Sequence, residues 1–166
     1  MKKIGVIGIG NPLRRDDGIG IVLLEKIQKI KTSFDDSIEY IDGGTGGMNL
    51  LHLLPTFECI VFIDAVYFGG KPGESKLFTI QDVISEKKLV TLSTHGSDFF
   101  QILQLSKQLH ELPDTIVFFG VQPKDTSFGH HISTQVKQKI DVLIQDLQKE
   151  IQSIGTKINH NINKHQ

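Results

Sequence analysis

Three ionisable side chains in this sequence lie next to segments that are predicted to form regular structure. Asp17 follows the apolar run 4–9 and its loop, Asp64 lies near the end of the apolar run 59–65, and His95 precedes a helix predicted over about 97–110. A carboxylate at the end of a buried strand is costly unless it is paired, hydrogen-bonded or bound to metal. Two carboxylates and one imidazole suit Ni, Zn, Fe or Mn and leave coordination positions open for water or substrate. The sequence therefore predicts a three-ligand metal site formed by Asp17, Asp64 and His95.

Each of these residues also has a purely structural interpretation. Asp16 and Asp17 carry charges that would interact favourably with the positive end of the following helix. Asp64 could cap a loop by accepting backbone N–H groups, and His95 could be a surface or helix-terminal histidine. These interpretations remain open alongside the metal site.

A strand–loop–helix unit at the N-terminus must position the first carboxylate. The apolar run 4–9 is followed by Gly10, a break at Asn11-Pro12 and a helical apolar pattern over 19–30. That order is typical of the first half of a βαβ unit, and functional sites in open α/β sheets lie at the carboxyl ends of the strands. We expect the run 59–65 to be a parallel strand buried on both faces, which would bring Asp64 to the same edge.

A glycine-rich segment follows the second predicted strand, residues 38–41. Its sequence is Asp42-Gly43-Gly44-Thr45-Gly46-Gly47. Glycines adopt backbone conformations that other residues avoid, so the segment could move or contact a substrate closely. Asp42 could equally serve to shape the loop, or hold a ribose as the acidic residue of a nucleotide fold does.

A dinucleotide-binding fold is the main alternative, because Gly8-Ile9-Gly10 follows a strand. The third glycine of the G-x-G-x-x-G pattern would fall at Leu13, and a lone G-x-G is a weak signal. Asp16 and Asp17 would also repel a pyrophosphate at the start of the helix. The sequence therefore disfavours this alternative.

The remaining patterns predict one α/β domain over 1–152 and a disordered polar tail over 153–166. Residues 76–80 are predicted to form a strand, and the short link before them favours an antiparallel neighbour. A short helix is expected near Val83, and Leu109 is expected to pack in the core with the helix at 97–110. The last helix is expected to be capped by Ser133 and to end at Gly155.

Composition excludes several classes of protein. The 166 residues carry 18 basic and 19 acidic side chains without a long run of either sign, so no nucleic-acid footprint is evident. The N-terminal apolar run is too short for a signal peptide or membrane span, and we expect a cytoplasmic protein. The single Cys59 lies inside a strand run, and no serine lies in a nucleophile-elbow motif, so covalent catalysis is disfavoured.

In combination, these motifs resemble those of the hydrogenase maturation endopeptidases over residues 1–150. The segments that carry the resemblance are Gly8–Leu13, Asp16–Gly20, Asp42–Thr45, Phe62–Ala65, Ser93–His95 and Phe119–Pro123. The order and spacing of the segments make the match specific, although each piece alone is not. Two departures are that some members have Glu where this chain has Asp17, and that many have Gly-Leu-Ser or Gly-Leu-Thr where it has His131-Ile132-Ser133.

The resemblance implies a three-layer α/β/α sandwich with a mixed, mostly parallel five-stranded sheet and one antiparallel strand. It also implies removal of the C-terminal extension from the precursor of a NiFe hydrogenase large subunit after nickel insertion. The nickel would arrive with the substrate and be bound by Asp17, Asp64 and His95, which would also be the catalytic residues. The Asp42, Gly43, Gly44, Thr45 loop would recognise the substrate. A non-catalytic nickel-site chaperone remains an alternative, and we expect a monomer without a membrane or nucleic-acid partner.

Overall fold

A mixed β-sheet with helices on both faces forms the molecule, and the computed structural model describes residues 4–30, 35–84, 91–92 and 96–163. The strands in these ranges are β1 (Ile4–Gly8), β2 (Ile38–Asp42), β3 (Cys59–Tyr67), β4 (Ser75–Thr79), β5 (Thr91–Leu92) and β6 (Thr115–Val121). The helices are α1 (Ile19–Ile27), α2 (Asn49–Leu53), α3 (Ile80–Ile84), α4 (Gly96–Gln108), α5 (Thr134–Lys137) and α6 (Ile140–Asn163). Short 3₁₀ turns cover Arg15–Gly18, Asp35–Ser37 and Leu54–Thr56.

Five strands form the sheet in the order β2-β1-β3-β6-β4. The first four are parallel, and β4 is antiparallel to β6. The predicted mixed five-stranded sheet is therefore confirmed. The antiparallel orientation of β4 was also expected, although β6, rather than the preceding β3, is its partner. The two-residue β5 adds a short antiparallel pairing at the end of β3, where Leu92 lies opposite Val66.

Two apolar cores separate the three layers. Successive residues of β3 point to opposite faces of the sheet, as in any strand. Val61, Ile63 and Ala65 pack under α1 and α6, whereas Ile60 and Phe62 pack in the core of α2, α3 and α4. Because β3 is buried along almost its whole length, its near-continuous apolar sequence is what a central parallel strand requires.

An aromatic cluster fixes α4 against the sheet close to the predicted site. Phe99 on α4 contacts Phe62 on β3 edge-on, with ring centroids 4.9 Å apart, and Phe118 on β6 stacks on Phe62 at 5.2 Å. All three side chains are at most 1% exposed. Burying one such ring contributes roughly 1.5–3 kcal/mol, so the cluster holds the first turn of α4 firmly over β3.

The C-terminal helix is longer than predicted. Gly155 lies inside α6, which continues to Asn163, so the prediction that the helix ends at Gly155 is wrong, and residues 153–163 are helical rather than a disordered tail. The apolar stripe continues through Ile154, which is buried, and Ile158, which packs against the same core. Among the described residues, no helix combines the length and apolar character needed to cross a membrane.

The prediction that Leu109 packs in the core is also wrong. Leu109 is 50% exposed, because α4 ends at Gln108 and the chain turns at His110, whose φ is +58°. Phe99, Ile102 and Leu103 on the same helix are buried.

Candidate active site

The loop after β1 is held at the carboxyl edge of the sheet by its neighbours on both sides. The Ile9 N–H donates to the Ile63 carbonyl of β3 at 2.8 Å, and the Gly10 N–H donates to the Gly44 carbonyl at 2.8 Å. The Gly43 N–H in turn donates to the Gly8 carbonyl at 2.8 Å. The first loop and the end of β3 therefore meet at one edge, as the sequence predicted, and the glycine-rich loop lies at the same edge.

The start of α1 approaches this edge more closely than a side chain would allow. A Cβ atom on Gly20 would overlap the carbonyl oxygens of Ile9 and Ile63, and a Cβ atom on Gly10 would overlap the carbonyl of Asp17. Glycine at positions 10 and 20 lets the 3₁₀ turn and α1 pack directly on the ends of β1 and β3. This close packing carries Asp17 to the edge of the sheet.

Asp17 is completely buried and takes part in the local hydrogen bonding. Its Oδ2 atom accepts the Asn11 N–H at 3.0 Å, and its backbone N–H donates to the Arg14 carbonyl at 3.0 Å. The side chain therefore closes the loop that carries it. This bond fixes the orientation of the carboxylate.

Asp64 lies near the end of β3, one residue beyond the last residue of β3 that pairs with β1. Ile63 is opposite Gly8, and Asp64 is opposite Gly120 on the other side, in β6. By the alternation of the strand, its side chain is on the face of Phe62 and Val66, which is the face covered by α4. Asp64 is 1% exposed, so its carboxyl group is held in a largely apolar layer.

His95 lies outside the described residues, so its place relative to Asp17 and Asp64 stays a prediction. The described elements on either side of it both contact β3. Leu92 pairs with Val66 at the end of β3, and α4, which begins at Gly96, packs on β3 through Phe99. Within the described part of the chain, which lacks His95, no three His, Cys, Asp or Glu residues form a group able to hold a metal ion.

Asp16 has a different role from the one predicted for it. Its carboxylate accepts four hydrogen bonds from a distant loop: from the N–H groups of Lys124 (2.8 Å), Asp125 (3.0 Å) and Ser133 (2.7 Å), and from the Ser133 hydroxyl (2.8 Å). Asp16 therefore joins the first loop to the segment before α5. Its side chain serves this link rather than the end of α1.

Ser133 was expected to cap the last helix, and this prediction is wrong: Ser133 precedes the four-residue helix α5, the last helix α6 begins at Ile140, and the Ser133 side chain caps neither helix. The hydroxyl makes no capping hydrogen bond and instead donates to Asp16. This link was missed from the sequence because the partners are 117 positions apart.

The glycine-rich loop lines a cleft of about 350 Å³. Asp42, Gly43, Gly44 and Thr45, the predicted substrate-binding residues, all line it, together with residues at the start of α2. Asp42 is exposed and its Oδ1 atom accepts the Gly44 N–H at 2.8 Å, so it shapes the loop. Gly44 has a φ of +55°, which favours glycine there.

Cys59 can be set aside as a nucleophile. It lies in β3 with 1% exposure, and burial raises the pKa of its thiol to about 12. A thiol with such a pKa is almost entirely protonated near neutral pH and is a poor nucleophile. The burial of Cys59 therefore agrees with the prediction that this residue is not a catalytic nucleophile.

These features define an α/β/α sandwich whose buried carboxylates lie at the carboxyl edge of its sheet. A family model described as hydrogenase maturation protease (HycI) matches residues 21–150. The chain belongs to the hydrogenase maturation protease family.

Individual relatives agree with this family. The hydrogenase expression/formation protein HupD of Thiocapsa roseopersicina is 31% identical over 144 residues, covering 86% of this chain and 65% of that protein. The hydrogenase maturating endopeptidase HybD of E. coli has the same fold, with a TM-score of 0.77 and 24% identity over 92% of this chain and 94% of that chain. The NiFe hydrogenase maturation protease HycI of Thermococcus kodakarensis KOD1 gives a TM-score of 0.68 and 25% identity over 88% and 90% of the two chains.

Proposed function

We propose that this chain is an endopeptidase that removes the C-terminal extension of a NiFe hydrogenase large-subunit precursor after nickel insertion. The observation that carries the proposal is the pair of buried carboxylates, Asp17 and Asp64, at the edge where the glycine-rich loop lies. Family membership supplies the reaction class. The protein would act as a monomer in the cytoplasm.

Asp17, Asp64 and His95 are the proposed ligands of the nickel that the substrate carries. Carboxylate oxygen and imidazole nitrogen are suitable donors for this ion, and three ligands leave positions for the groups that bring it. A three-ligand site of this kind binds the metal weakly on its own, and groups of the precursor complete the coordination of the ion. Mass action then favours the nickel-loaded precursor over the empty one.

The two carboxylates are proposed to contribute differently to hydrolysis. A bound metal can polarise the scissile carbonyl or lower the pKa of an attacking water. The Asp17 carboxylate already holds the Asn11 N–H, which favours a ligand and positioning role. In the alternative mechanism the metal only positions the substrate, and Asp64, which is 1% exposed, is then the proposed general base for the attacking water.

Two surfaces beside the edge suit a protein substrate. The cleft lined by Asp42–Thr45 is open and flanked by glycines, so an extended peptide can approach its backbone closely. On the loop bonded to Leu13, Phe128 is 76% exposed and is held by Arg14, whose guanidinium lies 4.7 Å from the ring centroid. Exposed aromatic and arginine side chains are typical of protein–protein contacts, and we propose that this surface docks the precursor.

The test is intact-mass measurement of the precursor after incubation with the purified protein. We expect nickel-loaded precursor to lose its C-terminal peptide and nickel-free precursor to stay whole. Asp64→Asn is nearly isosteric and His95→Ala removes the proposed imidazole ligand, so each should abolish cleavage while circular dichroism and Tm show a folded protein.

Other outcomes would favour the alternatives. Tight binding of loaded precursor without any shortening would support a non-catalytic chaperone. A rise in Tm with NAD or ATP but not with Ni²⁺ would support a nucleotide-binding domain. Normal cleavage by folded His95→Ala would remove that residue from the site.

A further inference from the structure

We infer that Asp16 and Ser133 form a positioning pair that sets the geometry of the neighbouring Asp17 carboxylate. The inference rests on the proposed function and identifies residues that act on the reaction without touching the substrate. Asp16 is completely buried, and its carboxylate accepts hydrogen bonds from residues 124, 125 and 133.

The backbone around Asp16 is fixed to the same segment as its side chain. The Asp16 N–H donates to the Asp125 carbonyl at 3.0 Å, and the Arg15 N–H donates to the Gly129 carbonyl at 3.0 Å. The Gly129 N–H donates back to the Leu13 carbonyl at 2.9 Å. The 3₁₀ turn that carries Asp17 is therefore anchored on the segment before α5 as well as on α1.

Asp16, which anchors the turn, is the residue directly before Asp17, the proposed metal ligand. Consecutive Cα atoms are ~3.8 Å apart and both residues lie in the 3₁₀ turn Arg15–Gly18, so a shift of Asp16 displaces Asp17 as well. The Asp17 carboxylate accepts the Asn11 N–H at 3.0 Å, and that bond reports where the carboxylate lies. Misplacing a reacting group by about 1 Å can cost on the order of 100-fold in rate, so a small shift of the Asp17 carboxylate would lower the rate of cleavage.

The use of the Ser133 hydroxyl supports a role beyond ordinary helix capping. A serine at an N-cap normally accepts a backbone N–H of its own helix, whereas this one donates to Asp16 over 2.8 Å. Ser133 therefore occupies a position from which its hydroxyl could cap α5, but in the structure the hydroxyl binds Asp16, in the loop that carries Asp17.

Replacing Ser133 tests this inference with a matched pair of variants. Ser133→Ala removes the hydroxyl bond and keeps the backbone N–H bond, and Ser133→Thr keeps the hydroxyl. We expect kcat for cleavage of nickel-loaded precursor to fall on the order of tenfold in Ser133→Ala, as for loss of one charge-assisted hydrogen bond, with KM unchanged. Ser133→Thr should restore kcat.

Ile151→Val is the control for stability alone, since Ile151 is buried in the α6 core away from this edge. It should lower Tm while leaving kcat at the wild-type value. A second readout is the NMR signal of the Asn11 amide, which should shift in Ser133→Ala, return in Ser133→Thr and stay in place in Ile151→Val.

A wild-type kcat for Ser133→Ala, or an unmoved Asn11 signal, would overturn the inference and leave Ser133 with a structural role. Failure of the proposed function would look different, because the wild-type protein itself would then leave the nickel-loaded precursor uncut.

Discussion

Replacing Gly20 with alanine is expected to destabilise the protein and to disturb the candidate site together. Gly20 is the second residue of α1, and its missing Cβ lets the helix rest on the carbonyl oxygens of Ile9 and Ile63. Both obstructing atoms belong to the backbone, so no side chain can rotate away. The Ile63 carbonyl also accepts the Ile9 N–H, and moving it would strain that bond.

The size of the effect follows from two opposing terms. Alanine in a helix gains about 1 kcal/mol over glycine. Overpacking costs about 1–3 kcal/mol, and the upper end applies because the helix itself must retreat. The net loss of about 2 kcal/mol corresponds to a fall in Tm of roughly 4–8 °C for a chain of this size.

Thermal unfolding followed by circular dichroism measures this loss. Gly47→Ala is the matched control, since a Cβ there has no neighbour within 4 Å, and its Tm should stay near the wild-type value. The rate of precursor cleavage by Gly20→Ala should also be reduced at temperatures below its Tm, where the protein is folded, because Asp17 lies three residues before the displaced position. A Tm for Gly20→Ala equal to or above wild type would refute the close packing of α1 on the sheet edge.

Three further experiments, one chemical labelling and two substitutions, test other parts of the structure. Burial raises the pKa of the Cys59 thiol to about 12, so iodoacetamide at pH 8 should leave the mass of the folded protein unchanged until denaturant is added; rapid alkylation would contradict the burial. Hydrogen bonds from Thr79 lower the pKa of Asp82 from its ordinary 3.8, so its stabilisation is present above that pH and is lost as the pH falls through the lowered pKa. Asp82→Ala should therefore lower Tm more at pH 7 than at pH 2. An equal fall in Tm at both pH values would show that the ionised Asp82 carboxylate does not stabilise the fold. Phe128→Ser should change stability by less than about 0.5 kcal/mol, because the ring is exposed, and should raise KM for the precursor; an unchanged KM would remove Phe128 from the docking surface.

Local patterns in the sequence were sufficient to predict the main elements. The apolar runs that became β1 and β3 are buried on both faces, and such runs identify central parallel strands. The edge that gathers Asp17, the glycine-rich loop and Asp64 follows from the parallel arrangement, since the strands of such a sheet end on one side. These parts depend on periodicity and chain order, which a sequence displays directly.

Other parts depend on contacts between distant residues. The role of Asp16 is set by Ser133, 117 positions away, and no local pattern announces that pairing. The end of the last helix was misplaced because glycine is usually a stop signal, whereas Ile154 and Ile158 continue the buried stripe past Gly155 and outweigh its low propensity. The helical spacing predicts a buried Leu109, but α4 ends at Gln108 and leaves Leu109 exposed.

The proposed function requires Asp17, Asp64 and His95 to share one metal ion. A crystal structure of the protein grown with Cd²⁺, with the ion located by its anomalous scattering, tests this directly. We predict one Cd²⁺ at the carboxyl edge of the sheet, within bonding distance of both carboxylates and the His95 imidazole. An ion bound elsewhere, or a His95 side chain directed to a different surface from the two carboxylates, would show that the three residues do not form one metal site.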